Sequence, residues 1–344
     1  MTVPHAELAA PPAPRWEDPR AEHLRNASLG ARWWYALKPA SWPKLLVPAV
    51  LGQGAAALEA GRVSVLGLAV GTGFSVLLLV FIVLLNDWSD AEVDRVKRAM
   101  YPQGCSPKTI PDGLLSPRAL LTGGLVALML GLAVAFAGAQ AARTPRLGWA
   151  ALACASIFAA YSLPPLRLNY RGGGELLEAL GVGFALPTWN ALAQGGVALP
   201  RVLLDMLPAF VVLSLASALA SGLSDENSDR AGGKRTFTTL LGNAVVRRAI
   251  EACVVVAALL FVAVPVALRV LLPAGSGSLA EALVPGAVGA AASLWALVRM
   301  RAVTPPPVTD AFASQGLFKE RLHGAIWYGS LVVLLTRALM TETV

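Results

Sequence analysis

Two short acidic stretches break a chain that is otherwise poor in charge. The first reads Asn86-Asp87-Trp88-Ser89-Asp90-Ala91-Glu92-Val93-Asp94-Arg95, the second Ser224-Asp225-Glu226-Asn227-Ser228-Asp229-Arg230. Both contain Ser-Asp-x-x-x-Asp-Arg, 135 residues apart from Asp90 to Asp225. Carboxylates at i and i+4 share a helix face. Asp90 and Asp94 are therefore expected to point one way, with Asn86 a turn earlier, and Asp225 and Asp229 likewise. Such close like charges repel unless a cation lies between them. An all-oxygen donor set suits Mg²⁺, which binds one or two carboxylates together with phosphate oxygens. Two such faces opposed across a cavity would hold a Mg²⁺-diphosphate. Arg95, Arg230, Lys234 and Arg235 follow within a turn or two and can neutralise phosphate charge. The competing reading, ordinary acidic residues where helices leave a membrane, does not explain the recurrence at equivalent places.

The elements that must position these acids are apolar helices. Hydrophobic residues make up 56% of the 344, charged residues only 14%, and mean hydropathy is +0.62. Soluble domains carry about 25% charged residues, so too little polar surface remains for a water-soluble globule. Windows of the roughly 20 apolar residues needed to cross a bilayer recur, and the expected spans are 41–60, 64–86, 117–140, 147–163, 174–194, 201–222, 245–270, 278–299 and 323–340. The fold class is an all-α polytopic membrane protein of about nine transmembrane helices. Each acidic stretch closes an even-numbered span, four spans apart, which implies two four-helix pseudo-repeats around a central cavity plus one extra helix. Assigning Lys and Arg to alternate sides puts 22 on the side of the acids and six on the other. Basic loops mark the cytoplasmic face, so the +7 net charge reads as topology and not as nucleic-acid binding. Residues 1–31, polar and Pro-rich without a secretory apolar core, read as a flexible cytoplasmic extension, and 32–344 as the membrane domain. Cys105, Cys154 and Cys253 read as isolated thiols.

At these residues the chain resembles the UbiA superfamily of intramembrane aromatic prenyltransferases. Asn86, Asp90 and Asp94 match its N-x-x-x-D-x-x-x-D motif, with Asp87 as the common extra acid, and Asp225 and Asp229 match its D-x-x-x-D motif. Within the superfamily the chain looks most like the 1,4-dihydroxy-2-naphthoate prenyltransferases of menaquinone synthesis. Leu37-Lys38-Pro39-Ala40-Ser41-Trp42-Pro43-Lys44 is similar to their R-P-x-T-L-P start, and Gly113-Leu114-Leu115-Ser116-Pro117 to G-L-I-S-P. Tyr170-Arg171-Gly172-Gly173-Gly174-Glu175 is similar to Y-R-G-L-G-E, and the run from Asp229 to Thr236 to D-R-x-A-G-K-R-T. Two stretches depart. Tyr161 is followed by Arg167 six residues on, where some members have Y-x-x-x-K, a form resembling chlorophyll-synthase-like members. Phe237-Thr238-Thr239 stands where L-A-V is common.

The resemblance implies a polyprenyl diphosphate donor, an aromatic acceptor, a Mg²⁺ cofactor held by Asn86, Asp90, Asp94, Asp225 and Asp229, and a bacterial inner-membrane location with no obligate protein partner. It places Asp87, Lys108, Arg167 and Arg171 beside the basic residues above as substrate-binding groups. Tyr161 is either an interfacial belt residue or a cation-stabilising ring, and the resemblance favours the second. Arg171 with Glu175 forms a helix-end ion pair or part of the acceptor site. Lys44 reads as a cytoplasmic anchor, and Trp33, Trp34 and Trp42 as interfacial anchors. His323 reads as a satisfied interfacial histidine, Pro187 with Asn190 as a kink facing the cavity, and 302–318 as a loop. Rival readings are a transporter, which predicts acids near the bilayer midplane, a non-catalytic scaffold, and prenylation of 4-hydroxybenzoate, a chlorophyllide or protohaem.

Overall fold

A computed structural model describes residues 23–102, 105, 107–271, 278–303 and 312–342. Residues 1–22 of the expected extension and 304–311 of the expected loop lie outside them. The described chain is helical: α1 (Leu29–Ala36), α2 (Pro43–Ala60), α3 (Val65–Ser89), α4 (Ala91–Met100), α5 (Pro117–Ala141), α6 (Arg146–Ser162) and α7 (Leu168–Arg171). There follow α8 (Gly174–Gly195), α9 (Arg201–Leu223), α10 (Glu226–Ala231), α11 (Phe237–Leu241), α12 (Asn243–Leu271), α13 (Leu279–Val303) and α14 (Phe312–Glu342).

Local chemistry sets the boundaries. The hydroxyls of Ser64 and Ser116 accept from the amides of Gly67 (3.0 Å) and Ala119 (3.1 Å), capping α3 and α5, and Pro117 occupies the first turn, where its missing N–H costs nothing. Gly61 closes α2 at φ +62°, a left-handed conformation that glycine adopts without strain. Within α8, Ala179–Ala185 is wound as a π-helix just ahead of Pro187, consistent with a proline that cannot donate to the preceding turn.

Among the described residues, seven helices are long and apolar enough to cross a membrane: α3, α5, α8, α9, α12, α13 and most of α14. Helices also occupy the other two expected places, α2 with 18 residues and α6 with 17. Charged residues at both ends of α2 and the shortness of α6 keep them below that measure, so nine crossings are not established. The last helix starts at Phe312, which corrects the expected loop over 302–318.

Two apolar clusters underlie the two halves. One gathers α3, α5, α6 and α8 around Phe74, Leu78, Phe81 and Trp189; the other gathers α9, α12, α13 and α14 around Phe210, Phe261 and Phe318. Helices α2 and α8 contribute to both and pack on one another. Their approach is so close that a Cβ on Gly52 would overlap the carbonyl of Pro187. Beside it, Gln53 Nε2 donates to Asn190 Oδ1 (2.9 Å), and Asn190 Nδ2 donates to Ser75 Oγ (3.0 Å). Asn190 is fully buried. It knots α2, α3 and α8 and does not face a cavity, because in an apolar interior an amide must find partners on neighbouring helices. His323 is likewise satisfied, against Ser217 Oγ at 2.8 Å. On this packing, Gly52→Val should overpack the α2–α8 contact and cost at least about 1–3 kcal/mol. Thermal unfolding in detergent should show a clearly lowered midpoint, and an unchanged midpoint would remove this contact as the joint between the halves.

Candidate active site

The two acidic stretches meet because α4 and α10, the short helices that carry Asp94 and Asp229, touch. In each stretch the spanning helix gives way at the first aspartate of the shared Ser-Asp-x-x-x-Asp-Arg: α3 ends at Ser89 and α4 begins at Ala91, while α9 ends at Leu223 and α10 begins at Glu226. Asp90 (φ −95°, ψ 7°) and Asp225 (φ −110°, ψ −5°) adopt nearly the same backbone conformation, so the repeat extends to local geometry. This corrects the single continuous helix face expected from sequence. The spacing nevertheless survives the break: Asp94 N–H donates to the Asp90 carbonyl (2.8 Å) and Asp229 N–H to that of Asp225 (2.7 Å).

Each stretch is answered by basic residues from elsewhere. Lys234, after α10, donates to Asp90 at 2.9 Å, and Asn169 Nδ2 donates to the same carboxylate at 3.2 Å. Lys97 of α4 pairs with Asp225, so the halves exchange lysines. Lys108 pairs with Asp94, Lys38 with Asp87, and Thr109 Oγ1 donates to Asp87 at 2.6 Å. Asp87, Asp90, Asp94 and Asp229 are all buried. Burial alone would push the Asp225 carboxyl up, but Lys97 and Lys108 outweigh it and hold the group below the usual range. Asp229 goes the other way. Burial pushes it up to about 7, opposed by Lys234 and reinforced by Asp225 and Asp90. Burial would lower the Lys234 ammonium, yet Asp90 and Asp229 hold it well above its ordinary value. Among the described residues, no three His, Cys, Asp or Glu side chains stand together as one metal-binding group; the carboxylates are met by lysines. The donor chemistry suits a hard cation.

The expected site residues divide into two sets. Asp87, Asp90, Asp94, Asp225, Asp229, Lys108 and Lys234 come together, and Asp90, Lys234 and Glu178 lie within electrostatic reach of Tyr161. Asn86 participates through its carbonyl, which accepts from Asp90 N–H at 2.9 Å. Arg167 donates to the Ser89 carbonyl and stacks over the Tyr170 ring at 3.7 Å, buttressing the end of α3. Arg95, Arg171, Arg230 and Arg235 are exposed. Arg95 pairs with Glu92, Arg230 with Glu226 at 3.0 Å, and the Arg235 amide donates to Tyr170 O at 3.2 Å. The Arg95 and Arg230 side chains thus pair within their own helices and not with the acidic nest. No Arg171–Glu175 ion pair forms among the described residues; Glu175 instead accepts from the Phe237 amide at 2.8 Å. Lys44 is no anchor, since it pairs with Glu178 and donates to Ser221 Oγ at 3.3 Å, joining α2 to α8 and α9. Sequence reasoning missed Lys38, Lys97, Thr109 and Asn169 as site residues. Two of them carried a signal, Lys97 one turn after Asp94 and Lys38 within the family-like entry segment.

A cavity of about 780 Å³ opens between α13, α14 and the start of α2, lined by Pro43, Trp295, Lys319, His323 and Trp327 among others.

Fold and site together define a class: polytopic helical membrane proteins whose two halves pool their acids at one end of the bundle. The chain belongs to the UbiA prenyltransferase family, whose sequence model matches residues 45–318, and it is a prenyltransferase. It is similar to the 1,4-dihydroxy-2-naphthoate octaprenyltransferase of Mycobacterium tuberculosis, 29% identical over 295 residues, covering 78% of this chain and 94% of that one. The protein of the same name from Mycobacterium leprae is 26% identical over 297 residues, covering 80% and 96%. Among solved structures, a UbiA homologue from Archaeoglobus fulgidus bound to DMAPP and Mg²⁺ superposes with a TM-score of 0.65 at 18% identity, over 88% of this chain and 99% of that one. A digeranylgeranylglyceryl phosphate synthase does so with 0.57 at 14% identity, over 92% and 99%. Family membership sets aside the transporter and scaffold readings.

The Lys234–Asp90 bridge joins the halves through two side chains each 10% exposed. A cycle of Lys234→Met, Asp90→Asn and the double variant should give a coupling free energy of at least about 1 kcal/mol in detergent unfolding, within the range for contacting groups. Additive effects would show that the bridge does not hold the halves together.

Proposed function

We propose that the protein transfers a polyprenyl chain from polyprenyl diphosphate to 1,4-dihydroxy-2-naphthoate, in a Mg²⁺-dependent reaction at the cytoplasmic face of a bacterial inner membrane. The observation that carries this reading is the exchange of lysines between two equivalent aspartate stretches, Lys234 on Asp90 and Lys97 on Asp225. The names of the mycobacterial relatives favour the naphthoate acceptor, and the excess of basic loop residues on the acidic side favours the orientation.

Asp90, Asp94, Asp225 and Asp229, with Asn86, are the residues that would hold Mg²⁺, which supplies Lewis-acid charge for a departing diphosphate. Lys97, Lys108 and Lys234 are already placed around these carboxylates and add preorganised positive charge where the leaving group's negative charge develops. The allylic C–O bond breaks and its electron pair leaves with the diphosphate. The carboxylate-bearing ring carbon of the acceptor forms the new C–C bond, and the electron pair of its C–CO₂⁻ bond returns to the ring as CO₂ leaves, which restores aromaticity with no net loss of a proton. The Tyr161 ring lies beside this charged nest and is suited to stabilise the allylic cation. The apolar helix walls keep water from that cation and leave the isoprenoid tail beside lipid. The cavity against α13 and α14 adds aromatic walls that suit a planar acceptor or the first isoprene units.

Membranes containing the protein, labelled polyprenyl diphosphate and Mg²⁺ should transfer label to dihydroxynaphthoate, and chelation with EDTA should abolish transfer until Mg²⁺ is restored. Transfer to 4-hydroxybenzoate, a chlorophyllide or protohaem instead would overturn the acceptor assignment. Asp90→Ala and Asp225→Ala should each lower turnover at least a hundredfold, about 3 kcal/mol of barrier, with expression intact. Near-normal rates would remove these residues from the site.

A further inference from the structure

We infer that Asp112, which touches neither acidic stretch, is a positioning residue that sets Lys108 on the first of them. The inference rests on the proposed role of Lys108 at the diphosphate site. Residues 107–116 form a strap between α4 and α5 that delivers two side chains to the acids, Lys108 to Asp94 and Thr109 to Asp87. Asp112 fastens this strap. Its Oδ2 accepts from Tyr35 Oη (2.5 Å), Arg98 Nη2 (2.7 Å) and the Lys108 amide itself (3.2 Å). Its own amide donates back to the Lys108 carbonyl (2.9 Å), and its carbonyl accepts from Arg25 Nε (2.8 Å).

Lys108 is thus held through both its backbone groups by one residue, and that residue is tied to the chain before α2 and to α4. The turn closes at Gly113, φ +72°, where a left-handed residue lets the Leu114 amide reach the Thr109 carbonyl at 3.1 Å. Ile110 and Leu115 pack against Ala36, Leu84 and Leu120 below. Asp112 is 3% exposed. A buried carboxylate collecting three donors on one oxygen is a rigid fixture, because its charge strengthens each bond and a neutral amide oxygen in its place would hold the Arg98 guanidinium more weakly. Lys108 needs such a fixture. Its long side chain loses several rotatable bonds' worth of freedom on being fixed, and a backbone set in advance means that no backbone cost is added to that loss.

A double-variant cycle tests this, with kinetics read in prenyl diphosphate using whichever acceptor the wild type converts. A wrong acceptor assignment and a wrong role for Asp112 therefore give different results. Asp112→Asn should lower kcat/KM for the prenyl diphosphate at least tenfold, while KM for the acceptor stays within twofold. In a Lys108→Met background the same change should have less than a twofold effect, because the group it positions is gone. If the two losses multiply, or if Asp112→Asn keeps wild-type kinetics, Asp112 does not act through Lys108. Should Asp112→Asn fail to fold, Tyr35→Phe keeps the carboxylate and removes one of its donors. It should lower kcat/KM for the prenyl diphosphate at least threefold in the wild type and leave it unchanged in Lys108→Met. A loss that persists there overturns the inference.

Discussion

Burying carboxylates at the edge of an apolar bundle is the constraint around which this protein is organised. An ionised acid removed from water without a partner is strongly disfavoured, and here Asp87, Asp90, Asp94 and Asp229 are all buried in one region. Pairing each acid with a lysine from its own helix would satisfy the charge but would not fix how the halves meet. Instead Asp90 takes Lys234 and Asp225 takes Lys97. Removing one member of a buried pair costs more than forming the pair contributes, since a charge is left stranded. The exchanged bridges therefore act on specificity: they penalise any arrangement in which the ends of α3 and α9 fail to lie side by side.

That alignment is delivered from within the bundle. Helices α2 and α8, each the first of its half, are shared by both apolar clusters and meet at Gly52 and Pro187 with no room for a side chain. Without a hydrophobic drive between helices in lipid, association depends on close packing and on interhelical hydrogen bonds. The Gln53–Asn190–Ser75 knot supplies the second beside the first. Lys44, pairing with Glu178 and reaching Ser221, carries the same joint toward the acidic end.

Much of this was legible in the sequence because hydropathy and i,i+4 spacing are local properties. The positions of the long helices, the repeat and the acids themselves follow from residues near one another in the chain. The partners do not. Asp90 and Lys234 are 144 residues apart, Tyr35 and Asp112 77, and only the fold brings them together. Proximity in sequence also misled: Arg95 and Arg230 follow the acids directly, yet a side chain one residue beyond an aspartate on a helix projects about 100° away from it. Lys97, three residues after Asp94, turns back to the cluster. The breaks at Asp90 and Asp225 and the early start of α14 escaped because apolar windows mark where a helix meets lipid, while its hydrogen bonding runs on through polar residues.

The opposite end of the second half shows what a purely structural charge cluster looks like in the same protein. Arg269 grips Asp205 through contacts of 3.1–3.3 Å, with Arg201 one turn away, and Arg337 lies 3.8 Å from Glu281. These pairs join α9 to α12 and α13 to α14, all within one half, and they use the planar, permanently charged guanidinium suited to fixed bidentate contacts. At the acidic end the cations on the aspartates are mostly lysines, compact charges on flexible stems that can be redirected without dismantling a fork of hydrogen bonds. Arginine where helices are to be clamped, and lysine where acids and an incoming anion must share the same cations, is the division expected if one end is a fastening and the other a site.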